Sequence, residues 1–143
     1  MSNENQKETV IFICNNNAGR SQMAEGLLRH LYGEYYQVFS AGFDPSWISS
    51  LAVEVMGEIG IDISKSESKN LKIFQEMESD YVVTLCGSAD EPCPVLLRAK
   101  KYIHHSFRDL RGAKGTEEEK LILFRSIRDE IKDWIQEEFA KAS

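Results

Sequence analysis

The stretch TVIFICNNNAGRSQMAEGLLRHLYG, residues 9–33, decides the fold. Residues 9–14 form a continuous run of β-favouring apolar residues, which is typical of a strand covered on both faces. A polar loop, residues 15–20, follows at once. Apolar residues then recur at helical spacing until Gly33 ends the pattern: Met23, Ala24, Leu27, Leu28 and Leu31. The stretch therefore predicts a strand, a loop and a helix in succession.

Looser versions of this unit follow along the chain. Residues 36–41 (YQVFSA) and 81–86 (YVVTLC) predict two more strands, and residues 102–107 predict a short fourth. A second helix is predicted from Leu51, Val55, Met56 and Ile59, ending at Gly60, and a short helix over residues 70–77. Alternating strands and helices predict an α/β fold: a flavodoxin-like three-layer sandwich in which helices cover both faces of a four-stranded parallel sheet.

The last predicted helix has the clearest pattern. Thr116 and Glu119 form a capping box at its start. One apolar stripe follows, which indicates a face packed on the core: Leu121, Phe124, Ile127, Ile131, Trp134, Ile135 and Phe139.

Length, composition and charge limit the function classes. A chain of 143 residues with 42% hydrophobic residues predicts one globular domain over residues 1–143, with residues 1–8 as a flexible N-terminus. The N-terminal residues contain no apolar export segment, and no apolar run approaches the roughly 20 residues of a membrane helix. We therefore expect a cytoplasmic monomer. The net charge of −6 argues against nucleic acid or an anionic membrane as partner.

The loop between the first strand and the first helix has the composition of an oxyanion site. A loop that enters a helix N-terminus directs several N–H groups and the positive end of the helix dipole at one point. We expect the cradle to consist of residues 15–20: Asn15, Asn16, Asn17, Ala18, Gly19 and Arg20. Arg20 offers a planar fork for a tetrahedral oxyanion.

Cys14 begins this loop and is the candidate nucleophile. The field of the loop favours its thiolate, which is the attacking form, and Ser21 is placed to donate a hydrogen bond to the sulfur. The alternative is that Cys14 is an inert core residue and Arg20 a solvated one. The position of C-x5-R-S between a buried strand and a helix favours catalysis.

The segment CNNNAGRSQMAEG, residues 14–26, resembles the oxyanion loop shared by low-molecular-weight tyrosine phosphatases and thioredoxin-coupled arsenate reductases, C-x-G-N-x-C-R-S. The chain keeps the Cys, the Asn (as Asn17), the Arg and the Ser of that loop. It has Asn16 in place of Gly and Gly19 in place of Cys. Asn accepts left-handed backbone geometry, and the relay of the resembled family does not use the lost thiol.

A second pair of cysteines favours the reductases. Cys86 ends the third predicted strand, and Cys93 follows seven residues later, as in the reductases but not in the phosphatases. Residues 80–85 (DYVVTL), 115–120 (GTEEEK) and 125–131 (RSIRDEI) extend the match over nearly the whole chain after Glu8. Independently of the resemblance, parallel strands bring Cys14 and Cys86 to the same edge of the sheet.

The resemblance implies reduction of arsenate to arsenite by a three-cysteine relay. Cys14 is the nucleophile, Cys86 and then Cys93 resolve the adduct, and Asp109 is the proton donor, with Leu110 where the family usually has proline. Thioredoxin would be the electron donor, and no bound cofactor or metal is needed. Some of these reductases bind potassium through residues matching Asn17, Glu25, Ser40 and a later acid. Lys69 falls where that acid would be, and because an ammonium could replace the ion, we expect no potassium requirement.

Other functions remain open from the sequence. A low-molecular-weight phosphatase acting on phosphate monoesters would use Cys14, Arg20 and Asp109 and leave the other cysteines idle. An oxyanion or metal sensor would bind without turnover. Cys86, Cys93, His104 and His105 are a further alternative as a zinc site, although a spacing of seven residues is poor for zinc.

Overall fold

The computed structural model describes residues 7–86, 97–108, 110 and 113–140. Four strands form its sheet: β1 (Glu8–Cys14), β2 (Tyr36–Gly42), β3 (Glu78–Thr84) and β4 (Arg98–His104). The strand order is β2-β1-β3-β4, and each neighbouring pair is parallel. This is a flavodoxin-like order, in which the direction of winding reverses between β1 and β3. Ligands bind at the carboxyl ends of the strands at such a reversal.

Three α-helices join the strands or follow them: α1 (Arg20–Tyr32), α2 (Ser50–Gly57) and α3 (Glu117–Phe139). A 3-10 helix, Leu71–Phe74, precedes β3. The capping box of α3 is present, with the Thr116 side chain accepting from Glu119 N and the Glu119 carboxylate accepting from Thr116 N.

Alternate residues of the strands face two different cores. Val10 and Phe12 of β1 face the larger core, which α1, α2 and α3 share. Ile11 and Ile13 face a smaller core that includes the 3-10 helix. This alternation is what a strand with both faces covered requires. Helical segments therefore cover both faces of the sheet, as the sequence predicts, but unevenly: in the described residues the three α-helices pack on one face and the 3-10 helix Leu71–Phe74 on the other.

The predicted strands β1 and β2 match the structure closely, whereas β3 and β4 both begin earlier than predicted: β3 spans Glu78–Thr84 in place of residues 81–86. The sequence predicts β4 over residues 102–107, whereas it spans Arg98–His104. β4 is an edge strand that pairs only with β3. Most of its side chains are exposed, so its sequence has little of the apolar pattern that marks a buried strand. Residues 105–107 still bond to the neighbouring chain segment, since His105 N donates to Thr84 O and Phe107 N to Leu85 O.

The helix ends were predicted less accurately than their existence. α2 ends at Gly57, three residues before the predicted stop, but Gly60 does adopt the left-handed conformation, with φ of 81°. The predicted short helix over residues 70–77 is the 3-10 helix Leu71–Phe74. Among the described residues, no helix has the length and apolar character needed to cross a membrane.

Candidate functional site

The loop between β1 and α1 turns its carbonyl groups outward. Asn15 O accepts from Asp44 N, Asn16 O from Ser46 N, and Ala18 O from Ser49 N. Asn17 O accepts from Gln22 Nε2, and Gly19 O from Met23 N. In a trans peptide the N–H points opposite to the C=O, so the following amides point toward the middle of the loop. Converging amides of this kind form an anion-binding nest.

Asn17 holds the loop from inside. It is fully buried and adopts φ of 51°, the left-handed conformation that Asn tolerates better than most residues. Its Nδ2 donates to Ser21 Oγ at 2.7 Å, and its Oδ1 accepts from Gln22 Nε2 and Lys69 N, each at 2.9 Å. Both polar atoms of this side chain therefore form hydrogen bonds within the protein that hold the loop in place.

Cys14 lies at the base of the loop as a free, buried thiol. Its Sγ is 2.8 Å from Ser21 Oγ. Because Asn17 donates to the same Ser21 oxygen, the hydroxyl proton is left for the sulfur, and a Cys14 thiolate would accept it. The contact supplies a charge-assisted hydrogen bond to the nucleophile when it is ionised.

Arg20 opens α1 and is 4% exposed. Its Nη1 donates to Phe107 O at 3.0 Å and to Leu85 O at 3.4 Å. The guanidinium is thereby held between the end of β3 and the segment after β4. Gly19, the N-cap of α1, offers no side chain to the first-turn amides, and the first turn contains no acidic residue. No carboxylate in the first turn of α1 therefore offsets the positive end of the helix dipole, which acts on the loop.

Cys86 lies beside this loop, two residues after the end of the neighbouring strand β3. β1 and β3 pair Ile13 with Thr84, and Leu85 N donates to Ile13 O at 2.9 Å. Cys14 is therefore level with Leu85, one residue before Cys86, on strands about 4.8 Å apart. Cys86 is fully buried and takes part in a disulfide. Cys93 and Asp109 lie outside the described residues.

Gly42 is a functional residue that the sequence analysis missed. A Cβ at this position would lie 2.7 Å from Asn15 O, 2.8 Å from Asn17 N and 2.9 Å from Cys14 O. Only glycine therefore lets the end of β2 approach the backbone of the oxyanion loop so closely. The one available signal was a glycine directly after a predicted strand, which is also common in ordinary turns.

The histidine pair is divided between two environments. His104 Nδ1 lies 2.7 Å from Thr84 Oγ1, and the His105 ring stacks on Trp134 with centroids 4.9 Å apart. Within the described ranges no group of three or more His, Cys, Asp or Glu side chains is placed to hold a metal ion. Cys93, one member of the zinc alternative, lies outside those ranges, so the alternative stays untested by this geometry.

The model of the low molecular weight phosphotyrosine protein phosphatase family matches residues 9–142. The chain belongs to this family. It is 42% identical over 125 residues to the arsenate reductase of Halalkalibacterium halodurans, covering 87% of this chain and 90% of that protein.

Solved members of the family have the same fold. The structure of an arsenate reductase in the phosphate-binding state matches with a TM-score of 0.78 at 30% identity, covering 95% of this chain and 99% of that one. A thioredoxin-dependent arsenate reductase of Corynebacterium glutamicum matches with a TM-score of 0.58 at 30% identity, covering 91% of this chain and 62% of that one. The predicted resemblance to the arsenate reductases of this phosphatase-like family is therefore confirmed.

The potassium ligands of some family members do not fit a potassium ion here. Glu25 accepts hydrogen bonds from Ser40 Oγ and, at 2.6 Å, from Arg29 Nη2. Asn17 Oδ1 already accepts from two N–H groups. The ligand oxygens are thus directed at donors of the chain itself, and Arg29 supplies a positive charge beside Glu25.

Lys69 does not take the position expected for a substitute cation. Its ammonium donates to Glu67 O at 2.7 Å, and only its backbone N–H reaches Asn17. The cation paired with Glu25 is the Arg29 guanidinium, four residues later on α1. The sequence analysis overlooked Arg29 because an i,i+4 Glu–Arg pair is ordinary on helix surfaces.

Proposed function

We propose that this protein is an arsenate reductase that works by a relay of Cys14, Cys86 and Cys93. The observation that carries the proposal is the sheet register, which sets Cys14 one residue from the level of Cys86 on adjacent parallel strands. A phosphatase of this fold needs the first cysteine alone. The arsenate reductases among the relatives support the same choice.

The first step forms a bond between Cys14 and arsenic. The Cys14 thiolate attacks As(V) of an arsenate held by the loop amides and Arg20. An As–O bond breaks, and Asp109 protonates the departing hydroxide to water. Asp109 lies outside the described residues. Its neighbour Leu110 packs beside Gly19, where a Cβ would lie 3.7 Å from Leu110 Cδ1.

The second step moves two electrons onto arsenic. The Cys86 thiolate attacks Cys14 Sγ, a Cys14–Cys86 disulfide forms, and the S–As bond breaks with its electron pair going to arsenic, which leaves as arsenite. Cys93 then attacks Cys86 Sγ, which releases the Cys14 thiolate and leaves a Cys86–Cys93 disulfide. The free Cys14 and disulfide-bonded Cys86 of the structure are what this final state would contain.

Reduction of that last disulfide requires an external dithiol, for which we propose thioredoxin. One related reductase is thioredoxin-dependent, which supports this donor. The reaction needs no resident cofactor, and we place it in the cytoplasm, where such dithiol proteins are kept reduced.

Disulfide mapping by mass spectrometry tests the relay. Fully reduced protein is exposed to arsenate without oxygen, alkylated and digested. We expect a Cys86–Cys93 bridge that appears only with arsenate. The Cys93→Ser variant should stop after one arsenite per chain with Cys14 bonded to Cys86, and Cys14→Ser should form no bridge.

The phosphatase is the alternative, favoured by the family model that matches the chain. It uses Cys14, Arg20 and Asp109 in the same roles. Three free thiols after exposure to arsenate, together with phosphate-ester hydrolysis that survives Cys93→Ser, would establish it in place of the reductase. Because phosphate and arsenate are nearly isosteric, weak hydrolysis alone does not distinguish the two functions.

A further inference from the structure

The exposed edge of the sheet is basic on an acidic protein. Residues 98–108, RAKKYIHHSFR, contain no Asp or Glu, whereas the whole chain has a net charge of −6. We call the four positive side chains of this segment the basic strip: Arg98, Lys100, Lys101 and Arg108. β4 lies at the end of the strand order, so its outer side faces away from the sheet.

Part of this charge is not neutralised within the described chain. The Lys100 ammonium lies 3.3 Å from Asp80 Oδ1, and Arg98 donates to the Glu76 carbonyl. Lys101 and Arg108 form no ion pair with any carboxylate that the structure describes, and both are exposed. Successive strand residues point to opposite faces, so Lys101 projects from the face opposite to the Lys100–Asp80 pair.

The Tyr102 side chain forms hydrogen bonds with two backbone groups at this edge. Its hydroxyl accepts from Ala99 N at 3.1 Å and donates to Leu97 O at 2.7 Å. These two backbone groups are therefore already satisfied, and an added strand would have to break both bonds. A partner at this edge must be recognised by side-chain charge and not by strand addition.

The basic strip leads directly to the cysteine edge of the sheet. Beyond β4, Ser106 Oγ donates to Cys86 O at 3.2 Å, and His105 N donates to Thr84 O. A protein that covers about 800 Å² around the strip would therefore extend over the end of β3, where Cys86 lies. Elsewhere the net negative charge of this chain would repel an acidic protein.

We propose that the basic strip is the docking surface for an acidic dithiol protein that serves as electron donor. This inference rests on the proposed reductase function and adds the charge and the position of the donor's contact. Charge complementarity of this kind raises the association rate and orients the partner. Lysines on an edge strand also prevent strand-to-strand aggregation, and that role alone would predict no effect on the donor.

The test compares a protein donor with a small one. Arsenate turnover is measured with a thioredoxin chosen for its net negative charge and, separately, with dithiothreitol. We expect Lys101→Glu to raise the KM for thioredoxin roughly three- to tenfold at low salt, with kcat unchanged. Lys101→Gln should give an intermediate rise. The dithiothreitol-supported rate should not change, because dithiothreitol has no charged surface to recognise.

The matched control is Lys65→Glu, an equal charge reversal at an exposed residue between α2 and the 3-10 helix. If Lys101→Glu raises the KM no more than Lys65→Glu does, docking on the strip is wrong. Wild-type protein that turns over with dithiothreitol but not with thioredoxin also overturns the docking, while the reductase function stands. Protein that reduces arsenate with neither donor overturns the proposed function itself.

Discussion

At the scale of single residues, the geometry of the site depends on close contacts that other side chains could not make. Gly42 touches the backbone of the oxyanion loop where any Cβ would collide. Ser21 links Cys14 to Asn17 through one buried hydroxyl. Each residue determines where an atom of the loop lies, so each can affect substrate binding without contacting the substrate.

Gly42→Ala should weaken oxyanion binding about fivefold or more. The new Cβ would displace the loop backbone, and overpacking of this kind costs typically 1–3 kcal/mol. Phosphate binding measured by calorimetry and the KM for arsenate report the change. Gly57→Ala is the control, since a Cβ there meets no atom within 4 Å. An unchanged KM in Gly42→Ala would show that the loop tolerates displacement.

Ser21→Ala should slow alkylation of Cys14 by iodoacetamide at pH 7 and lower kcat about tenfold or more. The variant removes a hydrogen bond to a charged group, worth about 1.5–3 kcal/mol. Ser126→Ala, at an exposed serine of α3, controls for the loss of a hydroxyl. Equal alkylation rates in the two variants would mean that Ser21 does not stabilise the thiolate.

At the scale of elements, ion pairs fasten helices to their neighbours. Arg125 and Arg128 of α3 both donate to Glu58, which follows α2. Arg29 of α1 joins Glu25 and also donates to Val38 O of β2. The first set of contacts connects α2 to α3, and the second connects α1 to β2.

Glu58→Gln should lower the melting temperature at neutral pH but not in acid. The hydrogen bond from Arg125, with that from Arg128, holds the pKa of Glu58 below its ordinary value of 4.5. A carboxyl whose pKa is lower in the folded state adds to the free energy of unfolding when the pH is above the unfolded-state pKa. That contribution disappears as the pH falls through the folded-state pKa. The difference in melting temperature from wild type should therefore be constant above about pH 5 and shrink below it. Glu137→Gln, exposed near the end of α3, should show no such trend.

Potassium should not affect turnover. The oxygens of Glu25 and Asn17 that would bind the ion already accept hydrogen bonds, and Arg29 pairs with Glu25. We expect equal arsenate kinetics in potassium, sodium and choline chloride at one ionic strength. Arg29→Ala tests the reason, because removing the guanidinium should let potassium accelerate the reaction. A wild-type rate that rises with potassium would contradict the assignment.

At the scale of the whole molecule, the positive groups of one loop act against the net negative charge of the chain. The net charge of −6 repels an oxyanion at long range. Inward-pointing amides, the N-terminus of α1 and Arg20 act only over a few ångströms, where they dominate. We therefore expect selective anion binding to be confined to this one loop of an acidic protein.

Phosphate should raise the melting temperature of the reduced protein by several degrees. A ligand at 100 times its Kd stabilises the folded state by about 2.7 kcal/mol. Sodium chloride at equal ionic strength is the control, and Gly42→Ala should lose most of the shift. A rise that sodium chloride reproduces would indicate general screening of charge in place of a specific site.

The strands, helices and loop were predictable because their signals are local. β1 is a buried apolar run, α3 has a capping box and an apolar stripe, and the oxyanion loop lies between an apolar strand and a helix. β4 was placed four residues too late because an exposed edge strand has little apolar periodicity. The catalytic roles assigned to the site residues stay predictions: Cys14, Arg20, Ser21, Cys86, Cys93 and Asp109.

Short-range pattern was sufficient for the order of the elements, the parallel sheet and the position of Cys14 at the end of β1. Contacts between residues far apart in the chain were decided by folding alone: Gly42 against the loop, Arg20 between Leu85 and Phe107, and Arg29 on Val38. A periodicity reports which face of an element is buried, and it contains no information about which atom of a distant segment will lie there. The positions of these groups depend on how the strands align in register, which only the packed sheet determines.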